Sequence, residues 1–493
     1  MTRLLLLIFL PISCFSQIKN TVISALNTPN EVSISVNPNN VAEVIAAANI
    51  NNFYFSTDTG KTWNHEYAIS KYGVAGDPVT FISSKGEKFF VHLSIPPNGN
   101  WIDRIVVQKK NDLLKNWKTD TYTGLNKNKS QDKHWICENP INNELYLTWT
   151  QFDKYGVADE SKKSNILFSK STDDGKTWSS AARINEISGN CIDNDNTVEG
   201  AVPSCGLNGD IYVAWAGPEG LVLDKSTNGG TTWREKDVKI DAFVGGWNYD
   251  IPGIYRCNGM PITKVDLSKS KYSGRVYINW SDQSNGENDT DVWLIYSDDQ
   301  GETWSKKIKV NQDKTESHQF MSWMDVDETS GNIFIVYYDR RHHFDNKTDV
   351  FVSVSEDGGS SFIDYQISES FFEPDSTVFF GDYTNVDANQ NLIFPIWTRL
   401  DSRKLKVVTH PIELSRLVNY DYNSFNIIET SAYSLIIRNK KNEVIKTLFA
   451  NQKIQKGTFN LDISKYDVSL MPDIYYFELL LNDELIVRKH FKI

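Results

Sequence analysis

The chain has 493 residues, with 63 acidic and 51 basic side chains, and its net charge is −12 at neutral pH. Because it has no long basic run, nucleic acid and anionic membrane surfaces are excluded as expected partners. Aromatic residues make up 12% of the chain, which suits a large β-rich core and a surface that faces sugars or peptides. An acidic glycan would need a local cluster of arginines in this acidic background.

The first 17 residues (MTRLLLLIFLPISCFSQ) contain one arginine, an apolar run and then small residues. This order is typical of a secretory signal peptide. No later stretch reaches the roughly 18 apolar residues that a membrane helix needs. We therefore predict an exported protein, secreted or at the cell surface, with no transmembrane segment. A lipid on Cys14 is the alternative, for which Pro11-Ile12-Ser13 is a poor recognition sequence.

Four cysteines follow the signal, at Cys137, Cys191, Cys205 and Cys257. Export permits disulfides, and Cys191 with Cys205 is the nearest pair along the chain. Their spacing matches no metal-ligand pattern. The sequence favours one optional disulfide and two buried thiols.

A polar stretch with a central glycine and a terminal aromatic residue occurs five times. The copies are Ser56–Trp63 (STDTGKTW), Ser171–Trp178 (STDDGKTW), Ser226–Trp233 (STNGGTTW), Ser297–Trp304 (SDDQGETW) and Ser355–Phe362 (SEDGGSSF). Each copy follows an alternating apolar run and precedes a second one. Asp and Asn side chains bond nearby backbone groups, and Gly supplies positive φ, so each copy predicts a hairpin turn.

Between these turns a strand ending in an aromatic-polar step recurs. Its copies are LYLTWTQFD (145–153), IYVAWAG (211–217), VYINWSDQ (276–283), IFIVYYDRR (333–341) and LIFPIWTRLD (392–401). Another short strand precedes each, starting near Asp132, Glu199, Tyr255, His318 and Gly381. With units from Glu31 and Gly76, this gives seven units of roughly 40–60 residues. The last unit lacks a fourth strand, which residues 18–27 could supply.

The pattern S-x-D-x-G-x-T-W resembles the Asp-box of the sialidase-like (BNR repeat) β-propellers. The resemblance implies an all-β fold over 18–415, in which each box joins the third and fourth strands of a blade, away from the active site. We expect seven blades, with six as the alternative because true sialidases are six-bladed.

Residues 416–493 contain no box and alternate as a small antiparallel β-sandwich would. They resemble the C-terminal sorting domains of type IX secretion cargo in the Bacteroidetes, which implies recognition by secretion machinery. Asp473 stands where that family has Gly after Pro. The alternative is an ordinary accessory β-sandwich.

Propeller topology predicts which residues meet on the face opposite the boxes. That face collects the ends of the second strands and the segments that lead into the first strands. The polar residues there are Asp77, Asp132, His134, Asp153, Glu199, Arg256, Asp282, His318, Asp339, Arg340, Arg341, Asp382, Tyr383 and Arg399. Arginine with tyrosine and carboxylates suits an acidic sugar, because guanidinium groups pair with carboxylates.

The resemblance to retaining sialidases implies three parts: arginines that bind the substrate carboxylate, a tyrosine nucleophile activated by a glutamate, and an aspartate acid/base. The implied catalytic residues are Tyr383, Glu199, Asp77 and Asp339. For substrate binding, Arg256 and Arg340 follow the family's order of roles, and propeller topology adds the candidates Arg341, Arg399, His134, His318 and Asp382. The family's first arginine is missing, since no Arg lies between Arg3 and Arg104.

The leading hypothesis is an exo-α-sialidase-like glycosidase acting on acidic glycans. The alternatives are a non-catalytic propeller that binds glycan or protein, and a polysaccharide lyase with a His or Tyr base. Individual residues also have structural interpretations. Asp339 and Arg340 could form a salt bridge between blades, and Asp132, Glu199 and Asp382 could bond free backbone N–H groups around the pore. Tyr383 could be a buried ring.

No cofactor is expected to be required. Two loops, NGENDTDVW (285–293) and HFDNKTDVF (343–351), repeat an oxygen-rich pattern that could hold structural Ca²⁺. Their recurrence at matching places favours a structural turn. The expected partner is a glycan or glycoconjugate.

Overall fold

The computed structural model describes residues 19–417, 424–427, 429–439, 441, 443–466, 474–482 and 484–492. The predicted signal peptide, Cys14 and Asp473 lie outside these residues. The chain divides into two compact units, Asn20–Tyr420 and Asp421–Ile493. Among the described residues there is no α-helix, and none of the helical turns is long and apolar enough to cross a membrane.

The first half of the larger unit consists of short strands in close succession. They are β1 (Thr21–Ser24), β2 (Ser33–Val36), β3 (Val44–Ala48), β4 (Asn52–Ser56), β5 (Asn64–Tyr67), β6 (Gly76–Ile82), β7 (Lys88–Leu93), β8 (Ile105–Lys110), β9 (Thr119–Thr123), β10 (Ser130–Glu138), β11 (Leu145–Phe152), β12 (Ser164–Ser171), β13 (Ala182–Arg183), β14 (Glu199–Cys205), β15 (Ile211–Gly217), β16 (Gly220–Ser226) and β17 (Val238–Asp241).

The second half continues in the same way. Its strands are β18 (Ile262–Val265), β19 (Val276–Asp282), β20 (Asp291–Ser297), β21 (Ile308–Lys309), β22 (Gln319–Val326), β23 (Ile333–Asp339), β24 (Asp349–Ser355), β25 (Ile363–Gln366), β26 (Asn385–Asn389), β27 (Leu392–Asp401), β28 (Lys404–Thr409) and β29 (Ile412–Glu413), followed by a 3-10 turn at Leu414–Arg416.

These strands form seven antiparallel sheets within the described part of the larger unit. Six sheets take four consecutive strands each: β2–β5, β6–β9, β10–β13, β14–β17, β18–β21 and β22–β25. The seventh combines β26, β27 and β28 with the N-terminal strand β1, and β29 pairs with β27. As predicted, the N-terminal segment thus completes the last sheet, with Thr21 opposite Thr409.

The first strands of the seven sheets contact one another in a closed cycle. β2 contacts β6, β6 contacts β10, β10 contacts β14, β14 contacts β18, β18 contacts β22, β22 contacts β26, and β26 contacts β2. The arrangement of four-stranded antiparallel sheets is the one expected of a β-propeller. The aromatic residues of the repeated second strands lie in the core: Trp149, Trp215, Trp280 and Trp397 are fully buried.

The five predicted turns join the third and fourth strands of their sheets and share one hydrogen-bond pattern. In the first, Gly60 N–H donates to Ser56 Oγ (2.9 Å), and Thr62 donates from its backbone N–H (2.9 Å) and hydroxyl (2.7 Å) to the Asp58 carboxylate. The same bonds recur at three of the other boxes, with Ser361 in place of Thr in the last. In the third box the two backbone bonds recur, but Asn228 Nδ2 donates to the Thr232 hydroxyl. The boxes are therefore local folding units, as the sequence predicts.

Four of the first strands carry a bulge near their beginning. The register shifts between Gly76 and Val79, Asp132 and Trp135, Glu199 and Val202, and Phe320 and Trp323. The bulged residue has positive φ: Asp77 +49°, Lys133 +48°, Gly200 +77° and Met321 +51°. Such a conformation is costly for non-glycine residues, and here it turns Asp77 and Lys133 out of the alternating strand pattern.

The smaller unit contains two sheets in its described residues. Its strands are β30 (Ser424–Ile427), β31 (Ser431–Asn439), β32 (Val444–Ile454), β33 (Gly457–Asn460), β34 (Ile474–Leu481) and β35 (Glu484–Lys492), with a 3-10 turn at Ile463–Lys465. β30 pairs with β33, and the other strands follow the order β32-β31-β34-β35. One buried hydrophobic cluster contains residues of both sheets, for example Phe425 and Phe477 with ring centroids 6.4 Å apart.

We predict that Asp173→Ala destabilises the larger unit by about 1 kcal/mol, because four donors of the turn, two backbone N–H groups and two hydroxyls, lose their acceptor. Asp173→Asn is the matched control, since Asn228 accepts the equivalent backbone bond (2.9 Å) and donates to the Thr232 hydroxyl (2.8 Å) in its own box. Urea unfolding of both variants checks this. Equal losses for Ala and Asn would contradict the role given to the side-chain oxygen.

Candidate functional site

Antiparallel strand order places the loops of each sheet on two opposite faces. The loops between strands three and four carry the boxes, and we call their side the box face. The loops between strands two and three, and the segments that lead into the first strands, lie at the other strand ends, which we call the site face. The site described below is built from residues of the site face and of the adjoining ends of the first strands.

One lysine connects several sheets at the site face. The Lys133 ammonium, at the bulge of β10, lies 2.6 Å from Asp382 Oδ2, 3.2 Å from Asp77 Oδ2 and 3.4 Å from Glu31 Oε1. Its side chain is 5% exposed. Glu31 lies just before the first strand of the first sheet, and Asp77 lies in the first strand of the second sheet. Asp382 lies just before the first strand of the seventh sheet. A single buried cation thus joins the first, second, third and seventh sheets.

Arg256 supplies a second cation to the same carboxylate. Its Nε donates to Asp382 Oδ1 (2.7 Å), its Nη2 bonds Asp382 Oδ2, and its Nη1 donates to Asp193 Oδ2 (3.3 Å). Burial opposes ionisation of Asp382, but Lys133 and Arg256 outweigh it and hold the pKa of Asp382 well below its usual range. Burial also opposes ionisation of Asp77, but the charge of Lys133 outweighs it, so the pKa of Asp77 is lowered.

The pKa values of three other carboxyl groups near this network are raised rather than lowered. Burial and neighbouring carboxylates raise the pKa of Glu31 and of Glu199 well above the usual value. For Asp132, burial, helped by Asp77 and Asp193 and opposed by Lys133, raises the pKa to about 7. The network therefore separates ionised carboxylates from carboxyl groups that keep a proton near neutral pH.

Only part of this network is accessible from outside. The side chains of Arg256, Asp193 and Asp77 are 35%, 19% and 12% exposed, and Asp132 is also slightly exposed. Asp193 accepts hydrogen bonds from Tyr155 OH (2.9 Å) and Trp247 Nε1 (2.9 Å). Beside Arg256 lies a cavity of about 20 Å³, which is room for about one water molecule.

Exposed aromatic rings surround this mouth. Trp101 is half exposed and meets the Tyr155 ring edge-on at 5.6 Å. Tyr255, also largely exposed, meets Phe379 at 5.9 Å, and the Arg256 guanidinium lies 5.1 Å from the Phe379 ring centroid. Such rings combine apolar faces with polar edges, the combination that suits a sugar ring.

The structure brings Asp77, Glu199, Arg256 and Asp382 together, but it places Tyr383 beneath them. Tyr383 is 3% exposed and packs on Trp135 (5.3 Å) and Trp323 (6.0 Å). Burial, reinforced by the charge of Asp77, raises the pKa of Tyr383 well above its usual value. The phenol is therefore neither reachable nor activated as a nucleophile in this arrangement.

The remaining predicted arginines do not join Arg256. Arg341 is buried between Asp339 (2.6 Å) and Asp364 (2.7 Å). Arg399 bonds Asp401 (2.8 Å) and the Ser370 carbonyl (2.7 Å). Arg341 therefore pairs within its own sheet, since Asp339 lies in β23 and Asp364 in β25, and Arg399 pairs within β27.

Arg340 is also separate from the network. Its Nε donates to Thr348 Oγ1 (3.1 Å), and burial lowers its pKa to about 10. Asp339 itself is paired with Arg341 rather than with Arg340.

Both predicted histidines are buried and neutral. Burial lowers the pKa of His134 and of His318 to about 4. The His318 Nδ1 hydrogen-bonds the Thr290 hydroxyl at 3.0 Å. A buried neutral imidazole with this environment is a packing group rather than an accessible base.

Sequence reasoning missed Lys133, Glu31, Asp193, Tyr155 and Trp247. Lys133 stands between two residues that were selected, Asp132 and His134, so strict alternation along β10 would point it away from them. The bulge reverses that expectation. The bulged residues Asp77, Lys133 and Gly200 occupy equivalent positions, each two residues before regular pairing resumes at Val79, Trp135 and Val202.

In the two oxygen-rich loops, Asp291 and Asp349 are occupied by protein donors, whereas Asp289 Oδ1 is buried without a hydrogen-bond partner among the described residues. Asp291 lies 2.6 Å from Lys309 Nζ and accepts from Asn311 Nδ2 (2.7 Å). Asp349 accepts from Gln366 Nε2 (3.0 Å) and lies 2.9 Å from His343 Nε2. Within the described residues, no cluster of three or more His, Cys, Asp or Glu is arranged to hold a metal ion. The contacts of Asp291 and Asp349 are those expected of structural turns.

No family model and no curated protein matches the chain. Among solved structures, the NanB sialidase of Streptococcus pneumoniae is 10% identical, with 76% of this chain and 84% of that chain covered and a TM-score of 0.44. An α-L-arabinanase of Penicillium chrysogenum is 11% identical, covering 81% and 99%, with a TM-score of 0.43. A PL25 ulvan lyase is 12% identical, covering 81% and 96%, with a TM-score of 0.46. Likeness at this level carries no conclusion about activity.

We predict that Lys133→Met destabilises the protein by about 3–5 kcal/mol, because it leaves buried carboxylates without their cation. Lys85→Met is the matched control: Lys85 also lies 2.6 Å from a carboxylate, Asp174, but its side chain is 49% exposed, so solvent screens the pair and the loss of stability should be much smaller. Denaturant unfolding of both variants measures the difference. Similar small losses would show that the Lys133 network does not stabilise the fold.

Proposed function

We propose that the larger unit is a seven-bladed β-propeller that hydrolyses glycans at its site face, in an exported protein with a C-terminal β-sandwich. The seven sheets whose first strands form a closed cycle support the blade number. The shared hydrophobic cluster of the two C-terminal sheets supports the sandwich.

The observation that carries the hydrolase proposal is the presence of two carboxyl groups in different environments beside Arg256: Asp193, whose side chain is 19% exposed, and Asp132, which is only 8% exposed. Asp132, with a pKa raised to about 7 by burial, keeps its proton in weakly acidic solution. Asp193 receives three donors, from Tyr155, Trp247 and Arg256. Glycosidases generally combine a protonated carboxyl group, as acid, with a second carboxylate that acts as base or nucleophile. We assign these roles to Asp132 and Asp193.

The remaining contacts favour a neutral sugar over an acidic one. Arg256 already binds Asp382 and Asp193, so a substrate carboxylate would have to displace a protein carboxylate. Arg341 and Arg399 are occupied elsewhere. The geometry therefore supports a carboxyl pair better than the arginine clamp and tyrosine nucleophile of a retaining sialidase. The His and Tyr residues that the sequence offered as lyase bases, His134, His318 and Tyr383, are buried.

A non-catalytic glycan-binding propeller is the second candidate. It is favoured by the small cavity beside Arg256, about 20 Å³, which does not enclose a sugar ring. In that case the exposed Trp101 and Tyr255 would form the binding surface, and the carboxyl groups below would serve the fold.

We expect Asp132→Asn and Asp193→Asn each to reduce kcat on a cleaved reporter glycoside by about 100-fold or more, with little change in glycan affinity. Because Asp132 must be protonated to act as the acid, kcat/KM of the unaltered protein should fall as pH rises above about 7. A panel of neutral and acidic aryl glycosides, assayed between pH 5 and 9, provides the measurement.

Asp375→Asn is the control, since Asp375 lies on the same face but pairs with Arg403, outside the network. Turnover that survives both network substitutions would refute the assigned roles. If no glycoside is hydrolysed and a glycan array shows binding that Trp101→Ala abolishes, the binding candidate replaces the hydrolase.

We also propose that the chain is exported through its N-terminal signal, with the C-terminal unit read by the secretion machinery. Support comes from the sequence pattern of 1–17 and of 416–493. In a host with a type IX system, removal of 416–493 should retain the propeller inside the cell envelope, as fractionation would detect. Equal surface delivery of the truncated chain would refute a sorting role.

A further inference from the structure

Two thiols face each other across neighbouring sheets. Cys137, near the end of β10, and Cys205, the last residue of β14, have their sulfur atoms 3.4 Å apart. β10 and β14 are first strands that contact each other directly. The pair expected from sequence proximity, Cys191 with Cys205, is not the facing pair: Cys191 instead forms a backbone bridge with Val157.

A central channel gives solvent access to this pair. The channel has a volume of about 280 Å³, and its wall is made by the first strands of all seven sheets. Both Cys137 and Cys205 belong to that wall. Cys137 is half-buried, whereas Cys205 is 3% exposed. A small thiol reagent that enters the channel therefore meets Cys137 first.

We propose that Cys137 and Cys205 form a disulfide that joins the third and fourth sheets in the mature protein. A sulfur–sulfur distance of 3.4 Å on adjacent strands leaves only a small side-chain rotation to reach bonding geometry. In the cell this proposal rests on export, because an oxidising compartment is where such a bond persists. The oxidant is another disulfide, from a small molecule or an exchange protein.

The reaction is two successive thiol–disulfide exchanges. The Cys137 thiolate, after losing its proton to solvent, attacks the oxidant disulfide, forms a mixed disulfide and expels one thiolate. The Cys205 thiolate then attacks the Cys137 sulfur, which closes the Cys137–Cys205 bond and expels the second thiolate. Two protein thiols are oxidised, and one disulfide is reduced to two thiols.

The other two cysteines are placed differently. Burial raises the pKa of Cys257 to about 12, and its thiol faces the Asn258 carbonyl at 4.0 Å. Cys191 is fully buried, and burial raises its pKa also. Burial raises the pKa of Cys205 as well, which fits its place as the second, resolving thiol.

The disulfide would connect the C-terminal ends of two strands, β10 and β14, whose N-terminal ends carry residues of the candidate site. β10 carries Asp132 and Lys133, and β14 begins with Glu199. The sequence separation of 68 residues means that the crosslink also restricts a long loop of the unfolded chain. The disulfide would thus stabilise the contact between the sheets that supply these carboxyl groups.

The test uses the purified mature chain, incubated with oxidised glutathione or with dithiothreitol. After oxidation we expect two thiols to be lost, a Cys137–Cys205 crosslinked peptide in non-reducing mass mapping, and a rise in Tm on the order of 5 °C. Cys137→Ser should abolish the rise, and Cys191→Ser should keep it. Because the oxidation is done in solution, its success or failure is independent of export.

Retention of all four thiols in the folded, oxidised sample would overturn the proposal, as would a crosslink that contains Cys191. The comparison of oxidised and reduced unaltered protein remains decisive if a serine variant fails to fold. The export proposal fails separately, if the chain isolated from cells is found unprocessed and reduced while the purified chain still forms the bond.

Discussion

The buried ammonium of Lys133 is the interaction on which the site face depends. It lies between carboxyl groups of Glu31, Asp77 and Asp382, which belong to segments at the beginning and end of the larger unit. The first and seventh sheets also meet through β1, β2 and β26. Burying a charge away from water is unfavourable unless the charge is paired. Because the partners of Lys133 come from three other sheets, keeping the charge paired constrains four sheets at once. The bulge at Lys133 and the bulge at Asp77 are the local distortions that make the meeting possible.

The same interaction determines which carboxyl groups can take part in chemistry. Lys133 and Arg256 keep Asp382 ionised and covered, while Glu31 and Glu199 retain protons because burial and neighbouring charges disfavour their ionised forms. Asp193 remains partly exposed beside aromatic rings, and Asp132, which is 8% exposed, has a pKa raised to about 7 by burial. A network that holds the sheets together thus also contains two carboxyl groups in different environments, which is the basis of the proposed hydrolase.

Sequence reasoning succeeded where structure is determined locally. The boxes could be predicted because each serine and aspartate bonds backbone groups within four residues, as Ser56 and Asp58 do. Propeller topology was enough to place Asp77, Arg256 and Asp382 on one face. Strand alternation failed for Lys133 because a bulge changes the direction of its side chain. The sequence analysis also assigned Arg399 to substrate binding, whereas in the structure Arg399 pairs with Asp401, a carboxylate two residues away. Asp193 lies in a loop without repeat, so no pattern marked it.

The most direct test of this account is a neutron diffraction structure of the deuterium-exchanged protein at pH 6, in which the protons of the network are observed. The account predicts deuterium on a carboxyl oxygen of Glu31, Asp132 and Glu199, none on Asp77 or Asp382, and a fully charged Lys133 among them. Deuterium on Asp382, or an ionised Asp132 at that pH, would contradict it.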